Sequence, residues 1–144
     1  MKLGIKVTFK DPDNPAGIIN AQFATARSNP EMLKLLRDIA EKDVAESVAM
    51  QKLENAAERL KSSTNPEAMQ AELLALRNAS DDATLAVLEA SRRFVVTGFK
   101  LAGSTDEQAE KLADIVDMAD LAVLKAKCLY GAGSLDFTKE GGRL

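Results

Sequence analysis

Ser62-Ser63-Thr64-Asn65-Pro66-Glu67 is the stretch on which the fold turns. Its three hydroxyl side chains compete for backbone groups and stop a helix. Asn65-Pro66-Glu67 then opens another, with a capping side chain, a proline at the first helical position and an acid at the positive end of the helix dipole. The same signal stands upstream as Asn29-Pro30-Glu31. From there to about Lys61, apolar residues recur at helical spacing: Leu33, Leu36, Ala40, Val44 and Val48, then Ala49, Leu53, Ala56 and Leu60. The stripe shifts by one residue near position 48, as a straight helix of period 3.6 requires and a strict heptad does not.

The second helix runs through Met69, Leu73 and Leu76. Asn78-Ala79-Ser80-Asp81-Asp82 then offers the backbone competing hydrogen bonds and predicts a kink or short break. Helical spacing resumes through Leu85, Leu88, Phe94, Val95 and Phe99, up to Gly103 as a C-terminal cap. Ser104-Thr105-Asp106-Glu107 reads as a capping box, in which Ser104 and Glu107 each bond the other's amide. The helix it opens carries Ala109, Leu112, Ala113, Val116, Val123 and Leu124. Asp117 and Asp120 allow it to restart as two pieces, and Tyr130-Gly131-Ala132-Gly133 stops it.

The N-terminal residues follow a different period. Leu3, Ile5, Val7 and Phe9 alternate with Lys2, Lys6, Thr8 and Lys10, the pattern of a half-buried strand. Its backbone groups need a partner. One choice is a hairpin across Asp11–Gly17, with Ile19, Ala21 and Phe23 on one face of a returning strand and Asn20 and Gln22 on the other. Another is a second copy of the chain, giving a homo-oligomer through the N-terminal strand. A competing reading makes Pro15–Ala26 a short helix. The expected fold is therefore mainly α: a small bundle of three to five helices preceded by a short β-strand or hairpin. Its parts are residues 1–28 for the β element and connection, 29–131 for the bundle and 132–144 for a mobile tail in which Leu135 and Phe137 could dock, forming one domain.

Composition narrows the chemistry. The 144 residues include no histidine, no tryptophan and one cysteine, Cys128. Most reaction centres and metal sites use imidazole or grouped thiolates. One cysteine makes no internal disulfide and suits a reducing, cytoplasmic setting. Met1–Lys10 lacks the continuous apolar run of a signal peptide, and no run is long enough to span a membrane. A net charge of −3 argues against nucleic acid as a partner.

The remaining candidates each have an ordinary structural reading. Cys128 lacks a neighbouring base and reads as a small buried residue. Glu110, Asp114 and Asp117, at i, i+4 and i+7, share a helix face that would be solvated whether or not it held a cation. Asp11 and Asp13 open like a calcium loop, but Pro15 and Gln22 stand where oxygen ligands belong. Lys2, Lys6 and Lys10 read as charges that protect an edge strand, and Arg92-Arg93 is too small for a nucleic-acid surface. No catalytic, cofactor or metal residue is assigned. Val95, Val96, Phe99, Leu135 and Phe137 read first as core; if these side chains stay exposed, they form a partner-binding patch for a helix.

The stretch Phe94-Val95-Val96-Thr97-Gly98-Phe99-Lys100-Leu101-Ala102-Gly103-Ser104-Thr105-Asp106-Glu107-Gln108-Ala109-Glu110 resembles the late region of tail assembly chaperones of long-tailed bacteriophages. In those proteins a helix ends in a Leu-Ala-Gly turn and an acidic helix follows. The resemblance covers about the last third in local pattern and the rest in layout. It implies a non-enzymatic protein without cofactors, which coats a helical tape-measure protein in the host cytoplasm during tail assembly. The alternative is a small structural or adaptor protein of a virion or another assembly.

Overall fold

The computed structural model describes residues 4–131 and 133–138. Lys2, Leu3, Ala132 and the tail from Lys139 onward lie outside them. In chain order the elements are β1 (Gly4–Lys10), β2 (Ile18–Ala24), α1 (Pro30–Leu60), α2 (Pro66–Leu101), α3 (Asp106–Ile115), α4 (Met118–Tyr130) and β3 (Ser134–Asp136). This is the mainly α fold with an N-terminal hairpin that the sequence predicts. By packing the chain divides into two units, one made of residues 1–36 and 91–144, the other of residues 37–90.

The first unit holds the sheet. β1 and β2 pair antiparallel, from Gly4 opposite Ala24 to Lys10 opposite Ile18. The turn between them is tied by the Asp11 carboxylate, which accepts from the Asp13 amide at 2.9 Å, and by the Gly17 amide donating to the Asn14 carbonyl at 2.8 Å. Residues 18–24 are thus strand, which excludes the competing helix. β3 joins the other side of β1 in parallel, Lys6–Thr8 against Ser134–Asp136, so the strand order is β2-β1-β3. Two expectations change here. β1 is a central strand, and its second side is taken by the chain's own β3, so its lysines guard no open edge and it does not present the edge to another copy. Part of the expected tail is that third strand.

Alternation decides which side of the sheet is dry. Ile5, Val7, Phe9 and Phe23 point inward and are buried. They meet the last turns of α2, where Phe94, Val95 and Phe99 are buried, and Leu112, Leu121 and Leu124 of α3 and α4 complete the core of the unit. All five phenylalanines of the chain join one cluster. Phe23 lies 5.3 Å from Phe94 and 4.9 Å from Phe99, while Phe9 lies 6.0 Å from Phe99 and 5.3 Å from Phe137 (ring centroids). Edge-on pairs of this kind add to the area they bury.

The connection from α2 to α3 moves one predicted cap. The Ser104 amide donates to the Phe99 carbonyl at 3.0 Å, and the Gly103 amide to the Lys100 carbonyl at 3.1 Å, with Gly103 at φ +117°. This is a Schellman ending, and Gly103 supplies the positive φ it needs. Ser104 therefore belongs to the end of α2. The cap of α3 is Thr105, whose hydroxyl accepts from the Gln108 amide at 3.2 Å. Asp117 caps α4 through the Asp120 amide at 2.8 Å, as its position in the sequence suggests.

The second unit is a helical hairpin, the later part of α1 against the earlier part of α2. Thr84 donates to Glu46 at 2.6 Å and Arg59 to Glu72 at 3.2 Å, which sets the antiparallel register. The least exposed positions of α1 here are Ile39, Lys42, Glu46, Ala49, Leu53, Ala56 and Leu60. On α2 the buried and half-buried positions include Met69, Leu73, Leu76, Ser80, Ala83, Val87 and Ala90, with Glu72, Thr84 and Ala86 beside them. Spacings alternate between three and four, which is a heptad seam. Leu33, Ala40, Val44 and Val48 of the predicted stripe are exposed instead. The predicted break at Asn78–Asp82 is absent, and α2 is helical throughout. Ser80 is buried in the seam while Asn78, Asp81 and Asp82 face solvent, so each group is accommodated and the long helix carries four unfavourable residues.

Candidate binding surface

The residues proposed from sequence as a partner patch are placed inside the first unit. Val95 is 3% exposed, Phe99 is fully buried and Phe137 is 5% exposed against Phe9. Val96 and Leu135 are half-buried. Their apolar surface is spent on the sheet and helices that enclose it, so they form the core of this unit and offer no patch.

The acidic residues also separate. α3 ends at Ile115, which takes Asp117 off the face of Glu110 and Asp114 and makes it a cap. Glu110 and Asp114 both bond the Arg92 guanidinium, through Nη2 and Nη1. These bonds, that from Asp114 foremost, raise the Arg92 pKa and keep it charged. Asp11 and Asp13 flank Lys111 at 3.6 and 2.8 Å, and the bond from Asp13 likewise raises its pKa. Each pair of acids thus serves a cation of the chain. Such exposed ion pairs contribute little to stability, because water screens them. Among the described residues no three acidic, cysteine or histidine side chains are grouped to hold a metal ion.

Cys128 is fully buried on α4, and its Sγ donates to the Ala24 carbonyl at 3.4 Å. Burial pushes its thiol from an ordinary value of 9.0 up to about 11, against a smaller opposing effect of the Ala26 amide. The thiolate is the reactive form, so alkylation of the folded protein at pH 8 is expected to be far slower than in denaturant. A thiol whose pKa is higher folded than unfolded stabilises the fold below the unfolded value and loses that contribution as pH rises. Between about pH 9 and 11 the native chain should lose stability that Cys128→Ala does not lose, measured by urea melts at stepped pH.

The surface that carries exposed apolar side chains is the hairpin of the second unit. At about 100° per residue, Val44 and Val48 lie on the side of α1 opposite Glu46 and Leu53. Val44 is 64% exposed. On α2, Leu74, Leu85 and Leu88 lie away from the Leu76–Ser80–Val87 seam, with Leu74 61% exposed. Each helix thus has two apolar stripes and uses one against its neighbour. Between the helices an open groove of about 420 Å³ is lined by Leu53, Leu73 and Leu74 with Gln70 and Arg77. The seam carries polar residues midway along, with Glu46 and Thr84 bonded across it and Lys42 and Ser80 also on it. Lys42 is tied to Asp38 at 3.2 Å and Glu46 to Thr84, so the polar groups are bonded while the seam buries little apolar area there. The signal for this second stripe was in the sequence, since Val44 and Val48 belong to the stripe read from it, but spacing alone does not say which stripe faces inward.

No helix among the described residues is long and apolar enough to cross a membrane. Comparison with protein-family models, with curated proteins and with solved structures finds no match to the chain.

Proposed function

We propose that the protein acts without catalysis, as an assembly chaperone that covers apolar stripes of a helical partner. The single observation that carries this reading is the second apolar stripe on each helix of the hairpin, Val44 and Val48 on α1 and Leu74, Leu85 and Leu88 on α2. A helix exposing apolar residues at i and i+4 suits packing against another amphipathic helix. The polar centre of the seam supports the same reading, because such a hairpin gains from additional apolar cover. The late-region resemblance names the partner: a phage tape-measure protein, whose long helices need reversible cover before the tail tube closes around them. Many copies along one chain would add avidity.

Co-expression with a tape-measure chain tests it. The wild-type protein should copurify with that chain, while Val44→Asp/Val48→Asp and Leu85→Asp/Leu88→Asp should lose capture and keep their helical circular dichroism. Burying one Val or Leu side chain is worth about 1.5–3 kcal/mol, so losing two predicts binding weaker by about a hundredfold or more. Absence of capture, with the protein found at fixed stoichiometry in finished particles, would establish the structural-subunit alternative.

A further inference from the structure

The sheet of the first unit has two edges of different character. β3 contributes three residues and ends in Asp136, and a short, charged edge resists further pairing. β2 is seven residues long and carries no charged side chain, and the sequence has none between Asp13 and Arg27. It contains no proline. Of the devices that commonly blunt an edge strand, only cover by a helix is present, where Cys128 of α4 meets the Ala24 end of β2.

The backbone groups on this edge can be assigned. The Lys6 amide donates to Gly133 and the Thr8 carbonyl accepts from Phe137, so even-numbered residues of β1 face β3 and odd-numbered ones face β2. The Asp11 amide, donating to Gly17 at 3.1 Å, continues the odd series. In the antiparallel register Ile19, Ala21 and Phe23 therefore bond β1, while Ile18, Asn20, Gln22 and Ala24 direct amides and carbonyls outward. The Ala24 carbonyl is taken by Cys128. Those of Ile18, Asn20 and Gln22 meet no partner among the described residues, and all three side chains are exposed.

We propose that β2 pairs antiparallel with β2 of a second copy of this chain, about a two-fold axis at Asn20. The three outward residues are self-complementary in that register: Asn20 lies opposite Asn20, and Ile18 opposite Gln22, with two backbone hydrogen bonds from each of three residue pairs. The result is one six-stranded sheet. The absence of charge on β2 means that no like charges meet across the axis. On the inner face Ile19 stands opposite the small Ala21, beside an open cleft of about 370 Å³ between Ile19 and Leu112, which leaves room for the added strand. The proposal is independent of the chaperone reading.

Light scattering on the whole protein tests it, with twice the 15.5 kDa chain mass expected at micromolar to millimolar concentration. Asn20→Lys puts two ammonium groups together at the axis and should return a monomer of unchanged circular dichroism. Thr8→Val, which removes the 3.0 Å Thr8–Asn20 side-chain bond without adding charge, should stay dimeric. Register is read by cysteine. In Asn20→Cys the two Cα atoms would sit about 5.5 Å apart, within disulfide reach. In Ile18→Cys they would be four residues out of step, about 14 Å apart. Mild oxidation should link the first variant and not the second, with Cys128 buried in both. A wild-type monomer throughout the range, a dimer that survives Asn20→Lys, or equal cross-linking of both cysteine variants would each overturn the assignment.

Discussion

Replacing Phe99 by alanine should cost more stability than any other single truncation, about 3–5 kcal/mol. Phe99 is fully buried and is the one ring that contacts both Phe9 of β1 and Phe23 of β2. Through Phe9 it is connected to Phe137, which follows β3. Truncation would leave a cavity bordered by rings held from the sheet on one side and by α2 on the other, so little collapse can fill it. Domains of this size are stable by about 5–15 kcal/mol in total, and the loss should lower the melting temperature by roughly 10 °C or more. With no tryptophan in the chain, circular dichroism at 222 nm and dye-monitored melting are the suitable probes. Leu85→Ala, at an exposed position of the second unit, is the control and should move the midpoint by about 0.5 kcal/mol or less. Equal shifts for the two would contradict the placement of the core.

Gly98→Ala should destabilise the protein although alanine is the better helix former. In an exposed helix interior that exchange gains about 1 kcal/mol. At Gly98 the new Cβ would lie 2.1 Å from Cε1 and Cζ of Phe23. That ring is fully buried between Phe94 and Phe99 and has no open direction to yield. Overpacking of this kind costs about 1–3 kcal/mol, and so severe a contact belongs at the upper end, so a net loss of about 2 kcal/mol is expected in urea melts. Phe23→Leu in the same chain should recover part of it, because the smaller side chain clears the space. A Gly98→Ala protein as stable as wild type, or more so, would show that the ring does not pack against the helix backbone here.

The elements of the fold were legible because their ends are written in local chemistry. Asn29-Pro30, Asn65-Pro66, Asp117 and Gly103 each satisfy backbone groups within a few residues, and each stands where the sequence places it. Facing was less legible. α1 has two apolar stripes about half a turn apart, and the stripe with Val44 and Val48 is the more apolar midway along. The inward stripe passes through Lys42 and Glu46, which only a tertiary partner such as Thr84 makes intelligible. The break expected at Asn78–Asp82 failed for a related reason, since Ser80 found a place in the seam. Ser104 lost its cap role to a bond with Phe99 that belongs to the preceding helix. Phe137 is core, as the commoner reading of such residues has it, but its partner was not legible: β3 pairing brings it onto Phe9 across most of the chain, and no local pattern announces a three-residue parallel strand.

The pairing of β3 beside β1 also sets an order of events during synthesis. The β1–β2 hairpin is local, but pairing of β1 with β3 joins Lys6–Thr8 to Ser134–Asp136, so β1 waits for a segment made much later. The hairpin of residues 37–90 is contiguous, and its internal contacts form between segments already made. Non-local strand pairing is slow to nucleate because the long intervening loop must close first. On the nascent chain, helix pairing therefore precedes closure of the sheet, and Phe9 waits for its C-terminal cover until Phe137 emerges.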